Sequence, residues 1–133
     1  MSGIAPKRKV RGVLRGEIFF AFLDPVFGRE QGGYKPRPVV VVSVNDIPDR
    51  EWGLVTVVPG TTNTKFSGPN LIAVKKSPQN GLAEDTAFQC HQVRALDHSR
   101  LMTRLGCLSQ ADLVRLAESL KFCLGLNGQL DRF

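Results

Sequence analysis

The sequence predicts a mainly β fold followed by one C-terminal helix, a small half-open barrel. Three observations carry that expectation. Short runs rich in Val, Ile and Phe recur along the first hundred residues, separated by Gly, Pro and Asn, the pattern of short strands and tight connections. Leu113, Leu116, Ala117, Leu120 and Leu124 then recur at helical spacing, so the strands are followed by a helix with one buried face. Strands first and a helix last, joined by short links, favour a mostly antiparallel sheet with the helix packed on it.

Residues 1–14 read as a flexible basic arm, through Lys7, Arg8, Lys9 and Arg11, and residues 15–133 as a single domain. A first strand over 17–23 is rich in Phe and Ile and is stopped by Asp24-Pro25. The loop after it carries Gly28, Gly32 and Gly33 with the charges of Arg29 and Glu30. Residues 38–44 are almost wholly β-branched, as in a strand buried on both faces. A surface excursion over 45–50 leads to a third strand over 53–58, ended by Pro59-Gly60, and then to a polar loop over 61–69. A fourth strand lies within 70–76, and Ser77-Pro78-Gln79-Asn80-Gly81 turns the chain.

Residues 86–93 read as a fifth strand, and Asp97 as the cap of a short helical turn over 97–101. Residues 105–108 allow a last strand, for five or six in all. Ser109 stands where a helix N-cap belongs, Asp112 favours the positive end of the dipole, and Gly125 stops the helix.

The chain has 133 residues, enough for one domain with its own core. Its net charge of +6 points to a polyanionic partner, of which nucleic acid is the commonest. The basic arm either adds affinity for phosphates or is simply a solvated tail. Cys90, Cys107 and Cys123 form no Cys-x-x-Cys pair, which reads as reduced thiols in a cytoplasmic protein rather than a disulfide or zinc framework. The apolar stretch over 13–23 is broken by Arg15, Gly16 and Glu17, so neither a signal peptide nor a membrane span is expected.

Arg37 is the first candidate for chemistry. Pro36 and Pro38 hold its backbone extended, so its guanidinium is rooted stiffly and suits a phosphate or its more charged transition state. The plainer alternative is a strand-edge arginine paired with Glu30. Thr61 and Thr62, at a strand end, offer hydroxyls to phosphate oxygens or simply satisfy a turn. His91 is either a strand histidine bonded within the core or a proton-transfer group, while His98 reads as a capping-region residue. No Gly-rich phosphate loop and no His/Cys/carboxylate cluster with metal-ligand spacing occurs, so metal-free phosphoryl chemistry without a cofactor is expected.

Taken in order, Gly16-Glu17-Ile18 through Asp24-Pro25, Gly28-Arg29-Glu30-Gln31-Gly32-Gly33, Arg37-Pro38-Val39-Val40-Val41, Val58-Pro59-Gly60-Thr61-Thr62 and His91-Gln92-Val93-Arg94-Ala95-Leu96-Asp97 resemble the MazF/PemK family of toxin endoribonucleases. The resemblance implies an SH3-like barrel working as a homodimer. It also implies metal-independent cutting of single-stranded RNA by 2′-hydroxyl attack, leaving a 2′,3′-cyclic phosphate and a 5′-hydroxyl, and an acidic antitoxin as partner. It places the family's catalytic arginine on Arg37 and its threonine on Thr61. The sequence departs from some members at Gln89 and His91, where they carry an arginine and an aspartate, which makes His91 the candidate base or RNA contact. Arg29, Glu30, Gln31 and Lys35 on the first loop, Thr62 and Lys65 on the next, and Gln89, Gln92 and Arg94 beside His91 complete the expected RNA-binding set. Two other functions fit such a chain: a CcdB-like toxin that binds a DNA topoisomerase through its C-terminal end (Leu130-Asp131-Arg132-Phe133), or an idle nucleic-acid-binding module.

Overall fold

The computed structural model describes residues 13–33, 35–45 and 53–128. Lys7 to Arg11 of the basic arm, Tyr34, most of the 45–50 excursion and the 130–133 chain end therefore lie outside the described residues. Seven strands and one α-helix are formed among the rest: β1 (Glu17–Ala21), β2 (Arg37–Val41), β3 (Leu54–Thr61), β4 (Leu71–Val74), β5 (Thr86–Gln89), β6 (Arg94–Asp97), β7 (Leu101–Cys107) and α1 (Gln110–Cys123). Neighbouring strands run antiparallel in the order β4-β5-β3-β2-β1-β7, with β6 also paired to β3.

The sheet curls because β3 serves two sets of partners. Its earlier residues face β2 and β6, whereas Gly60 and Thr61 pair with Phe88 and Ala87 of β5. Pro59, expected to end this strand, instead sits inside it opposite Val39. A residue without an N–H is tolerated there because the strand is passing from one partner to another. Gly60 comes next for a steric reason: a Cβ at that position would lie 2.6 Å from Thr86 Cγ2.

Alternation along the strands builds two cores. Ile18, Val40, Val58 and Phe88 face α1 with Leu116, while Phe19, Val39, Val41, Val57 and Leu96 pack on the other side. As the β-branched run predicts, Val39, Val40 and Val41 are all fully buried. Each contributes on the order of 1.5 kcal/mol by leaving water. The helix begins where expected: Ser109 Oγ accepts the Asp112 N–H at 3.1 Å, and Gly125 comes after the helix at φ 69°.

Several boundaries move. β1 stops at Ala21, two residues before the expected end, β2 starts at Arg37 and ends at Val41, and the last strand lengthens to Leu101–Cys107 because it borders β1. The fifth strand is not continuous. It ends at Gln89, and Cys90–Gln92 forms a 3-10 turn before the chain re-enters the sheet as β6. The break is forced by pairing, since β5 meets the end of β3 and β6 meets its start. Asp97 caps the short His98–Arg100 turn as expected. The Ser99 hydroxyl and amide bonded to it hold its carboxyl below the usual range.

The 77–81 turn touches β7 backbone to backbone. A Cβ on Gly81 would fall 1.9 Å from the Leu105 carbonyl oxygen, and one on Gly106 would fall 2.2 Å from that of Gln79. Buried Asn80 holds this turn: its Oδ1 accepts the Ser77 and Leu82 amides, and its Nδ2 donates to the Lys75 carbonyl.

Candidate functional site

Three segments converge on an open groove of about 1010 Å³. Arg29, Glu30 and Gln31 come from the β1–β2 loop, Phe66, Ser67, Asn70 and Leu71 from the β3–β4 loop and the start of β4, and Gln89, His91, Gln92, Val93 and Arg94 from the β5–β6 turn. Two guanidinium groups face one carboxylate among the charged lining residues, a balance that favours an anion. Arg94 is aimed by one hydrogen bond to the Leu23 carbonyl at 3.2 Å.

The loop is tied to the turn across the groove, since the Gln31 N–H donates to Gln92 Oε1. Its next residues hold Arg37. The Arg37 Nε donates to the Gly32 carbonyl at 3.0 Å, and a Cβ on Gly33 would touch the guanidinium at 3.4 Å. The Gly33 N–H in turn donates to Asp24 Oδ1 at 2.9 Å, closing the loop at its base.

Arg37 makes no ion pair with Glu30, whose Oε1 accepts the Phe27 N–H instead. The β2–β3 pairing ends with Val39 opposite Pro59; Arg37 opens β2 and Thr61 closes β3 beyond that last pair, where β3 has turned to β5. Thr61 Oγ1 accepts the Asn63 N–H at 3.2 Å, so it does serve a turn while its own hydroxyl hydrogen stays available.

Seven of the sequence-predicted residues thus meet in one groove: Arg29, Glu30, Gln31, Gln89, His91, Gln92 and Arg94. Arg37 and Thr61 do not line it; the loop connects Arg37 to the groove through residues 31 and 32, one bonded to Gln92 and the other to Arg37. Lys35, Thr62 and Lys65 are exposed outside the groove lining. His91 is exposed on the turn rather than set in a strand, and its Nδ1 lies 2.9 Å from Asn70 Nδ2. The neighbouring Cys90 is no nucleophile, because burial pushes its thiol up, against a smaller opposing effect of the Ser119 hydrogen bond.

Phe66, Ser67, Asn70, Leu71 and Val93 escape the sequence reading. Phe66 had a signal, a lone aromatic in a polar loop, and it is 63% exposed at the groove. Asn70 had none.

Among the described residues, no group of three or more His, Cys, Asp or Glu is placed to hold a metal ion, and no helix is long and apolar enough to cross a membrane.

Gln89 carries a cost in this state. Its Oε1 is buried without a hydrogen-bond partner. A buried unsatisfied carbonyl destabilises by roughly 1–3 kcal/mol. The Gln89→Met variant keeps the length of the side chain and removes that atom, so its urea midpoint should rise, by about 1 kcal/mol of stability. An unchanged or lower midpoint would mean that Gln89 is satisfied in solution.

The sequence and its fold match known proteins. A family model described as "PemK-like, MazF-like toxin of type II toxin-antitoxin system" matches residues 14–124. The chain is 34% identical over 116 residues to an endoribonuclease MazF of Staphylococcus epidermidis, an alignment covering 86% of this chain and 93% of that protein. It is 37% identical over 117 residues to endoribonuclease MazF9 of Mycobacterium tuberculosis, covering 84% and 96%. Among solved structures, MazF from Deinococcus radiodurans superposes with a TM-score of 0.71 at 24% identity, covering 84% of this chain and 96% of that one. A mycobacterial endoribonuclease in complex with its cognate antitoxin superposes with a TM-score of 0.68 at 25% identity, covering 87% and 98%.

Proposed function

Since the chain belongs to the PemK-like, MazF-like toxin family of type II toxin–antitoxin systems, we propose that it is an endoribonuclease that cuts single-stranded RNA by metal-independent transesterification. The 2′-oxygen attacks the adjacent phosphorus and gives up its proton. The P–O5′ bond then breaks and the 5′-oxygen takes a proton, leaving a 2′,3′-cyclic phosphate and a 5′-hydroxyl. The observation that carries this reading is the convergence of Arg29, Gln31, Gln92 and Arg94 around His91 in one open groove of about 1010 Å³.

Charge builds on the non-bridging phosphate oxygens as the 2′-oxygen attacks. Donors fixed in advance stabilise that charge most, because nothing must reorganise when it appears. Arg37 meets this need: its Nε is anchored on Gly32, which leaves the terminal nitrogens of the fork for the phosphate. Thr61, at the end of the neighbouring strand, donates its hydroxyl to the same oxygens. RNA lying in the groove extends along the loop to Arg37, whose anchor on Gly32 stays in place. His91 meets the same strand, as base for the 2′-hydroxyl proton or as a contact to phosphate.

An acidic antitoxin segment would cover the positive groove, and a homodimer acting in the cytoplasm completes the proposal. The similar mycobacterial endoribonuclease was solved with its cognate antitoxin, which supports the first of these.

Incubating the purified protein with a long RNA in excess chelator, then mapping the ends, tests the reading. Cuts at a recurring short sequence that leave cyclic-phosphate and 5′-hydroxyl ends are expected. Cleavage that appears only with added divalent metal would overturn the metal-free mechanism, and intact RNA under every condition would overturn the nuclease reading.

A further inference from the structure

We infer that Asn70 is a positioning residue that holds His91 in the tautomer protonated at Nε2, so that His91 gives RNA a hydrogen bond instead of taking a proton from it. The inference rests on the RNA-cutting role proposed for the groove and decides between the two parts open to His91.

The placement of Asn70 comes from the register. β4 pairs with β5 so that Leu71 faces Gln89, which sets Asn70 beside Cys90. The Cys90 N–H donates to the Asn70 carbonyl at 2.9 Å. One residue earlier, the Pro69 carbonyl accepts the hydroxyl of buried Ser119 on α1 at 2.6 Å. Asn70 therefore has a fixed backbone, unlike the exposed loop before it. From that anchor its side-chain nitrogen lies 2.9 Å from His91 Nδ1.

Neutral imidazole has one nitrogen that donates and one that accepts. An amide NH₂ can only donate, so the Nδ1 facing it is the acceptor and the ring proton sits on Nε2. The free nitrogen then offers N–H to the groove and has no lone pair with which to accept the 2′-hydroxyl proton. His91 acts in this state as a neutral hydrogen-bond donor to a phosphate oxygen, beside the cationic donors.

Asn70→Asp is the informative change, because it keeps the shape and reverses the chemistry. A carboxylate can only accept, so the ring proton would move to Nδ1 and Nε2 would become a bare acceptor facing RNA. Nitrogen-15 NMR of the imidazole, read on the free protein at a pH where the ring is neutral and with unchanged thermal unfolding as control, should show Nε2 protonated in the parent and Nδ1 protonated in Asn70→Asp. In single-turnover cleavage, Asn70→Asp and His91→Ala should each be slower by about tenfold to a hundredfold, the worth of a hydrogen bond to a charged group. The double variant should be no slower than either alone.

A parent protein with His91 protonated at Nδ1 would overturn the inference. So would an Asn70→Asp variant that cuts as fast as the parent or faster, since an aspartate would support a base. Should the parent not cut RNA at all, the nuclease reading fails while the tautomer measurement still decides the contact between Asn70 and His91.

Discussion

Arg37→Ala should lower the single-turnover rate of RNA cleavage by about 10³-fold or more while leaving RNA binding within a few-fold of the parent. The magnitude is that of removing a preorganised cationic donor from a phosphoryl transition state. Binding should persist because the groove-lining groups Arg29, Gln92 and Arg94 are untouched. Folding should persist as well, since among the described residues the side chain makes one hydrogen bond, to Gly32, worth on the order of 1 kcal/mol. Arg37→Lys should not restore the rate, because an ammonium cannot keep the anchoring bond and also present a planar fork. The assay is denaturing-gel cleavage of a short RNA containing one site, with enzyme in excess. A variant that cuts within about tenfold of the parent would show that the reacting phosphate lies elsewhere in the groove.

Gly106→Ala should produce the largest loss of stability of any conservative change in the sheet. The added methyl would meet the Gln79 oxygen at 2.2 Å and two further Asn80 backbone atoms under 3 Å, with no flexible side chain to move aside. β7 or the 77–81 turn must shift, and the Cys107 N–H to Gln79 carbonyl bond between them would break. A cost of about 4 kcal/mol is expected, a large share of the stability of an ordinary domain. Gly81→Ala should be at least as severe, because its φ of 68° adds backbone strain to the clash with Leu105. Gly125→Ala separates the two causes. It has a similar φ of 69° in open space and should cost only about 1 kcal/mol. Urea unfolding of the three variants gives the comparison, and a Gly106→Ala midpoint close to that of Gly125→Ala would refute the close-packing account.

The fold is legible in the sequence where local chemistry decides the outcome. Three valines in a row favour burial on both faces, and Val39 to Val41 are buried. Ser109 and Asp97 cap the helical turns beyond them because a short polar side chain suits that geometry wherever it falls. Legibility fails where a distant partner decides. Pro59 looks like a strand end, and only the change of partner along β3 explains why the strand passes through it. The same change of partner breaks 86–93 at Cys90 and puts His91 on an exposed turn. The groove was legible in large part, since residues 29–31 and 89–94 are charged or amide-rich segments beside strands. Asn70 was not, because its meaning comes from a register with a strand some twenty residues away. Arg37 and Thr61 owe their proposed roles to family likeness and stand at the ends of neighbouring strands, but their access to the groove depends on a loop whose position no local pattern encodes.

The passage of β3 between two sets of strands also bears on how such proteins diversify. Both ends of the β3–β4 loop are fastened, at Thr61 by pairing with Ala87 and at Asn70 by its bond to Cys90. Insertions or deletions between them would move Phe66 and Ser67, which help to line the groove, yet leave Arg37, Thr61 and the 89–94 segment where they are. Under the function proposed above, this part of the groove lining can therefore vary without disturbing the residues to which the cutting is assigned. On that proposal, a lineage carrying this arrangement acquires new targets by altering one loop's length, with the proposed cutting residues left in place.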